Sequence, residues 1–360
     1  MTLYEGRNTT IRGAYWQYLS SLTLVVVGGL FYIFIIHSYS TEIVGVFSLL
    51  NAIAFLFSTV FSLGLQQGMQ HFISYHLGRR DGMIRALVRK FTAVGFLLSL
   101  GTFATLWVLS PAFALLFFLS HAYLDYLRLM DVVIFSMIIN NILLYMLLGL
   151  QSFRLNGMLN IFMYAMGYGL IIPLLLINSN PIRIIFAWIA GYYATTFLLY
   201  YVHRRVRRSP KAESGVPLTP VLSYSIPIFI SGLVSYGATY VDRFIVSFLI
   251  NLSELGIYNF ALVLTNAISI LTLPFTSVLL SRLSEFYGRG DRESFRLYSL
   301  KASEVLTAIY IPVALLVASL SPSILLFLAN INYIPGPVHM IIILTVSSLI
   351  VTVNIFAVTL

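Results

Sequence analysis

Ten stretches of about 20 mostly apolar residues, the length that a helix needs to cross the hydrocarbon core of a bilayer, leave this chain few folds to choose from. They lie at approximately 14–37, 43–66, 91–110, 131–150, 157–177, 181–202, 221–250, 255–280, 301–328 and 336–358. Backbone polar groups in lipid must find their partners inside the segment, so each stretch is predicted as a helix and not as a strand. The composition agrees, with 59% hydrophobic and 9% charged residues and a mean hydropathy of +0.93, values far from those of a soluble domain. The expected fold class is all-α, a polytopic helical membrane protein. The first stretch is too long for a signal-peptide core and has further spans behind it, so it reads as a retained helix.

Positive charge tests both the spans and the threading. With a cytoplasmic N-terminus, the inner segments hold Arg7 and Arg12, then Arg79, Arg80, Arg85, Arg89 and Lys90, then Arg154. They continue with Arg204, Arg205, Arg207, Arg208 and Lys211, and end with Arg282, Arg289, Arg292, Arg296 and Lys301. Eighteen of the 21 Lys and Arg residues therefore fall on one side; Arg128 and Arg183 lie in outer loops and Arg243 inside a helix. A wrong helix count would mix the two sides, so the segregation supports a multi-pass protein of the plasma membrane with its N-terminus inside. The same rule explains the net charge of +9, so no nucleic-acid partner is expected. The absence of cysteine excludes disulfides, thiolate nucleophiles and cysteine metal sites.

The chain repeats itself at a spacing of about 210 residues. Val44-Gly45-Val46-Phe47 opens the second span, and Ile73-Ser74 through Gly78-Arg79-Arg80-Asp81 follows it on the inner side. Leu255-Gly256-Ile257-Tyr258 opens the eighth, followed by Leu283-Ser284 through Gly288-Arg289-Gly290-Asp291. Six spans separate the copies, an even number, so both enter the membrane in the same direction and the expected architecture is two parallel-repeat lobes related by an axis along the membrane normal. The lobes are drawn as residues 1–203 with six helices and residues 221–360 with four, joined by a basic, proline-containing cytoplasmic linker at 204–220. With four helices against six, the second lobe is expected to be truncated.

These landmarks carry a family resemblance. The run from Val44-Gly45-Val46-Phe47 through Ser62-Leu63-Gly64-Leu65-Gln66-Gln67 to Gly78-Arg79-Arg80-Asp81 resembles the polysaccharide-exporter branch of the multidrug/oligosaccharidyl-lipid/polysaccharide flippase superfamily. Val241-Asp242-Arg243-Phe244, Leu255-Gly256-Ile257-Tyr258-Asn259 and Leu283-Ser284-Glu285 resemble it too. The resemblance implies twelve to fourteen helices in two lobes around a central cavity, and the flipping of lipid-linked oligosaccharides to the outer leaflet. This chain departs from that pattern at its C-terminal end, where the last helices of the family are absent.

Asp242 and Arg243 are the only full charges that the predicted spans place well inside a helix. Counting 1.5 Å per residue from Tyr224 puts Asp242 about 27 Å along, in the outer third of the seventh span. Each charge costs about 2.5–3.5 kcal/mol at the bilayer centre, so a wet cavity or a partner is expected for both. In one reading Arg243 grips the pyrophosphate or acidic sugar of a lipid-linked glycan, and Asp242 neutralises it or couples transport to protons or sodium. In the other, Arg243 snorkels to the outer headgroups with Asp242 as its partner.

Ser231, Ser235, Thr239 and Asp242 share one face of that helix, as a cavity wall or as ordinary helix packing. Asn140 and Asn141 in the fourth span, Asn51 and Asn266 offer uncharged hydrogen bonds to sugar hydroxyls or to other helices. Gln66, Gln67, Gln70 and His71 stand at the inner mouth of the second span. Pro173, Pro227, Pro274 and Pro312 fall inside spans, and Pro227, ahead of Gly232 and Gly237, is a candidate hinge.

Neither a phosphate-binding loop nor a metal-binding acidic pair is visible, and the histidines are scattered, so no enzymatic activity, cofactor or resident metal is expected. The expected function is a transporter that flips a lipid-linked oligosaccharide or polysaccharide precursor by alternating access. Its partners would be that glycan, membrane lipids and glycan-assembly enzymes. Two alternatives stay open, a cation-coupled multidrug exporter and a non-transporting scaffold in glycan assembly.

Overall fold

The computed structural model describes residues 3–79, 83–207, 218–269 and 291–328. Within them the chain is helical: α1 Leu3–Ser38, α2 Thr41–Ser62, α3 Leu65–Arg79, α4 Ile84–Phe118, a 3-10 turn His121–Tyr123, α5 Leu124–Gly149 and α6 Phe153–Gly169. There follow α7 Ile171–Ile177, α8 Arg183–Arg207, α9 Leu218–Leu249, α10 Leu252–Ser269 and, as α11, Arg292–Leu328. No strand occurs among the described residues, and six of the helical stretches are long and apolar enough to cross a membrane. The chain is a multi-pass helical membrane protein. The tenth predicted span, Pro274 and most of the basic linker lie outside the described residues.

The chain falls into two compact units, one of Met1–Val27 with Val46–Asn251 and one of Gly28–Gly45 with Leu252–Leu360. In the first, α5 is the central helix and packs against α3, α4 and α8, with α6 packed on α8 and touching α5. Lipid offers no hydrophobic drive for helix association, so close packing and interhelical hydrogen bonds hold such a bundle together. Asn140 of α5 supplies both: its Nδ2 donates to the Tyr192 carbonyl at 2.9 Å and its Oδ1 accepts from Thr196 at 2.7 Å, joining α5 to α8. Ser136 and Thr196 exchange a further hydroxyl bond at 2.7 Å. On α6, Asn156 donates to the Leu144 carbonyl at 2.8 Å and accepts from Gln17 of α1 at 2.9 Å.

Two predicted spans are broken. The second ends at Ser62, where Leu63 and Gly64 take φ of 48° and 69°. Glycine enters that left-handed region without strain. The chain restarts as α3, whose Met69 and Ile73 are fully buried against neighbouring helices. Gln66 and Gln67, read as the mouth of the second span, belong to the first turn of α3, and their Oε1 atoms are buried with no hydrogen-bond partner among the described residues. The fifth span breaks at Leu170 between α6 and α7. Pro173 has no N–H to give the carbonyl four residues back, which is that of Gly169, the last residue of α6.

In the second unit the first turns of α2 and α10 cross at the two glycines of the repeat. A Cβ on Gly45 would collide with the Leu252 carbonyl, and one on Gly256 with the Thr41 carbonyl. Thr41 pairs with Leu252, and Gly45 with Gly256, at one and the same offset, so the contact is reciprocal. The Thr41 and Ser253 hydroxyls hydrogen-bond beside it. The aspartate closing the second repeat caps a helix: Asp291 Oδ1 accepts from Ser294 N at 3.0 Å at the start of α11.

Candidate functional site

The charged pair of α9 sits against α2 within the first unit. Arg243 is 9% exposed, and its Cζ lies 4.6 Å from the centroid of the Tyr240 ring. That ring also stacks with Phe55 of α2, at 5.3 Å and 21°, and with Tyr236, at 5.1 Å and 20°. Tyr236 in turn donates its hydroxyl to the Ala52 carbonyl of α2 at 2.9 Å. Tyr236, Tyr240 and Arg243 recur at helical spacing, so α9 presents all three to one side. A cation over an aromatic face in a dry environment is stabilised by about 2 kcal/mol, which offsets part of the burial of the guanidinium.

The rest of the coordination is local. Arg243 Nη1 donates to the Thr239 carbonyl at 2.6 Å and approaches Asp242 Oδ1 at 3.6 Å, and that same carboxylate oxygen accepts from Arg243 N at 2.8 Å. A guanidinium carries five N–H donors. Among the described residues only Nη1 makes a side-chain hydrogen bond, so most of the fork remains available to an anion. Asp242 is more open than its neighbour, with 34% of its side chain exposed against 11% for Arg243. Arg243 is thus largely buried beside the Tyr240 ring.

The remaining sequence candidates separate into two groups. Ser231, Ser235 and Thr239 are exposed on the face of α9 that continues to Asp242, and the Thr239 hydroxyl donates to the Ser235 carbonyl at 2.8 Å. Asn140 is fully buried and engaged with α8, and Asn141 donates to Ser58 of α2 at 3.3 Å. Among the described residues no hydrogen bond links either asparagine to the Arg243 cluster.

Sequence reasoning passes over two features. The first is the aromatic cluster of Phe55, Tyr236 and Tyr240, whose Tyr240 ring faces the guanidinium; the helical spacing of the two tyrosines with Arg243 is the signal that finds them. The second is Asp131, placed by the predicted spans at the very start of the fourth. The structure corrects this: α5 begins at Leu124, about two turns earlier. Asp131 is 2% exposed, and neither carboxylate oxygen has a hydrogen-bond partner among the described residues. It is a further buried charge-bearing group within a helical span, alongside Arg243. Its neighbours Asp125 and Arg128 make the apolar stretch look shorter than the helix is.

With this geometry in view, the comparisons with known proteins agree on class. The sequence profile of a family described as "Polysaccharide biosynthesis protein" matches residues 50–334. No curated protein matches the chain by sequence. Among solved structures, the inward-facing conformation of a multidrug resistance MATE family transporter of the MOP superfamily is similar at a TM-score of 0.70, with 12% identity over 94% of this chain and 82% of that one. The outward-facing conformation of such a transporter matches at 0.64, with 12% identity over 98% and 83%. MATE in the straight conformation matches at 0.65, with 14% identity over 94% and 77%. At these identities the likeness establishes the fold.

Proposed function

The chain belongs to the polysaccharide biosynthesis protein family, and on that footing we propose that it is a membrane transporter that flips a lipid-linked oligosaccharide or polysaccharide precursor across the plasma membrane by alternating access. The observation that carries the reading is the buried Arg243, held under Tyr240 with most of its N–H fork free. A membrane span retains a guanidinium where an anion needs one. A pyrophosphate or an acidic sugar presents pairs of anionic oxygens that the planar guanidinium binds by paired hydrogen bonds. Asp242, beside it and partly open, neutralises the site when empty or exchanges a cation as the substrate enters. The exposed Ser231, Ser235 and Thr239 face would then line the path. The two repeats act as lobes, the cytoplasmic side is the one with the basic loops, and glycan-assembly enzymes supply the substrate.

The test compares Arg243→Ala and Arg243→Lys in cells that depend on the protein for surface glycan. Loss of a charge-assisted hydrogen bond costs about 1.5–3 kcal/mol, a factor of roughly ten to a hundred in transport. Lysine, lacking the fork, should recover little. Lipid-linked sugar should accumulate on the cytoplasmic leaflet, at normal membrane abundance of the protein. Unchanged surface glycan in Arg243→Ala removes the residue from the mechanism.

A second reading, a cation-coupled multidrug exporter, is favoured by the stacked Phe55, Tyr236 and Tyr240, which suit a flat organic cation, and by the buried carboxylate of Asp131. It expects altered drug sensitivity and unchanged lipid-linked sugars when the gene is deleted.

A further inference from the structure

Away from the charged pair, the first unit carries a groove of about 680 Å³ between α4, α5 and α8. Its floor is Ile139, Ile142 and Leu143 of α5, and Phe96, Phe135 and Phe197 wall its deeper part. The other end is cationic. Arg89, in the second turn of α4, and His203, in the last turns of α8, both line it, and Arg204 lies over the ring of Tyr200 with its Cζ 5.8 Å from the centroid. From His203 to Tyr193 the α8 wall rises about 15 Å, from the membrane surface toward its middle.

One hydroxyl in this groove differs from most of the described helical threonines. Thr23, Thr102, Thr105, Thr195 and Thr239 each return their hydroxyl to the carbonyl four residues earlier. Thr92, on the same face of α4 as Arg89, does not: its Oγ1 is buried and has no hydrogen-bond partner among the described residues. Turned about its χ1 toward the groove, that hydroxyl would offer a donor about 4.5 Å deeper than the Arg89 backbone.

We propose that this groove is a binding site for an anionic diacyl phospholipid of the cytoplasmic leaflet, distinct from the transported substrate. Arg89, His203 and Arg204 meet its phosphate, Thr92 donates to an ester carbonyl one step below, and an acyl chain lies along Phe96, Phe135 and Ile139. The hydroxyl decides between lipid classes. An ester carbonyl stands at that depth in a diacyl lipid, whereas an isoprenoid chain carries only carbon below its phosphate and leaves Thr92 unpaired. The leaflet assignment rests on the orientation proposed above; the site itself does not.

The full chain, delipidated in detergent, is titrated with dioleoyl phosphatidylglycerol or dioleoyl phosphatidylcholine, and the first bound lipid is counted by native mass spectrometry. The wild type should prefer phosphatidylglycerol at least fivefold, and Arg89→Gln should reduce that preference about fivefold, the attraction of one surface cation for an anionic headgroup. Thr92→Val, nearly isosteric, should lower retention of both diacyl lipids but leave a polyprenyl monophosphate unaffected. Equal binding of the two diacyl lipids to the wild type, full retention by Thr92→Val, or a polyprenyl monophosphate displacing phosphatidylglycerol at equal concentration would each overturn the assignment. The readout needs no transport, so its failure leaves the flippase reading standing and the reverse holds too. Unchanged helicity and a single elution peak confirm that each variant is folded.

Discussion

Arg243 and Asp131 are both buried in apolar helices, yet they are held in opposite ways. The arginine has a stacked ring, a carbonyl and a neighbouring carboxylate around it, while Asp131 has no hydrogen-bond partner for either oxygen among the described residues. An unsatisfied buried polar group costs about 1–3 kcal/mol, more when charged. Asp131→Leu removes that cost, so the variant should melt at a higher temperature than the wild type in detergent. If the carboxylate is kept because it carries a proton or a cation during transport, the same variant should be more stable and inactive, the usual trade at a functional site. A lower melting temperature would mean that Asp131 makes a stabilising contact. Arg243 and Asp242 were legible as charges within an apolar run. Asp131 was not, because Asp125 and Arg128 interrupt that run ahead of it, and hydropathy reads helix ends late when the first turns are polar.

At the scale of elements, the two glycines of the repeat have a physical reason. Each stands where a Cβ would run into a backbone carbonyl of the other helix, and a backbone cannot yield as a flexible side chain can. Gly45→Ala and Gly256→Ala should therefore each lower the melting temperature by forcing the first turns of α2 and α10 apart. Gly101→Ala is the control: nothing lies within 4 Å of its Cβ position, and alanine is favoured in a helix interior by about 1 kcal/mol. Neutral behaviour of Gly45→Ala would mean that the crossing can loosen to admit a methyl group. The repeat was visible as recurring landmarks, and Gly45 and Gly256 as part of them, but their contact was not, since sequence spacing carries no information on which helices cross. The breaks after Ser62 and at Leu170 were hidden for a different reason. Hydropathy is blind to backbone direction, and Leu63 offers no warning of a φ of 48°.

For the whole molecule, sequence and structure bear on different questions. Segregation of Lys and Arg carries sidedness; the helices carry the places where the chain turns. Together they make a topology prediction that the chain is well suited to test, because it contains no cysteine. Ser179, between α7 and α8, and the exposed Asn251, between α9 and α10, stand at turns assigned to the outer side. Glu293, exposed in the first turn of α11, stands on the inner side. Single cysteines at the first two positions should react with a membrane-impermeant maleimide in intact cells, and one at Glu293 only after the membrane is opened. Even and odd turns would exchange if the N-terminus faced outward, so labelling of Glu293→Cys in intact cells reverses the orientation, and with it the leaflet at which Arg89 and His203 meet their lipid. A mixed pattern, with Ser179→Cys and Asn251→Cys on different sides, would instead break the count of spans between them. That count places both repeats in the same direction, so the parallel arrangement of the lobes fails if Ser179 and Asn251 fall on opposite sides.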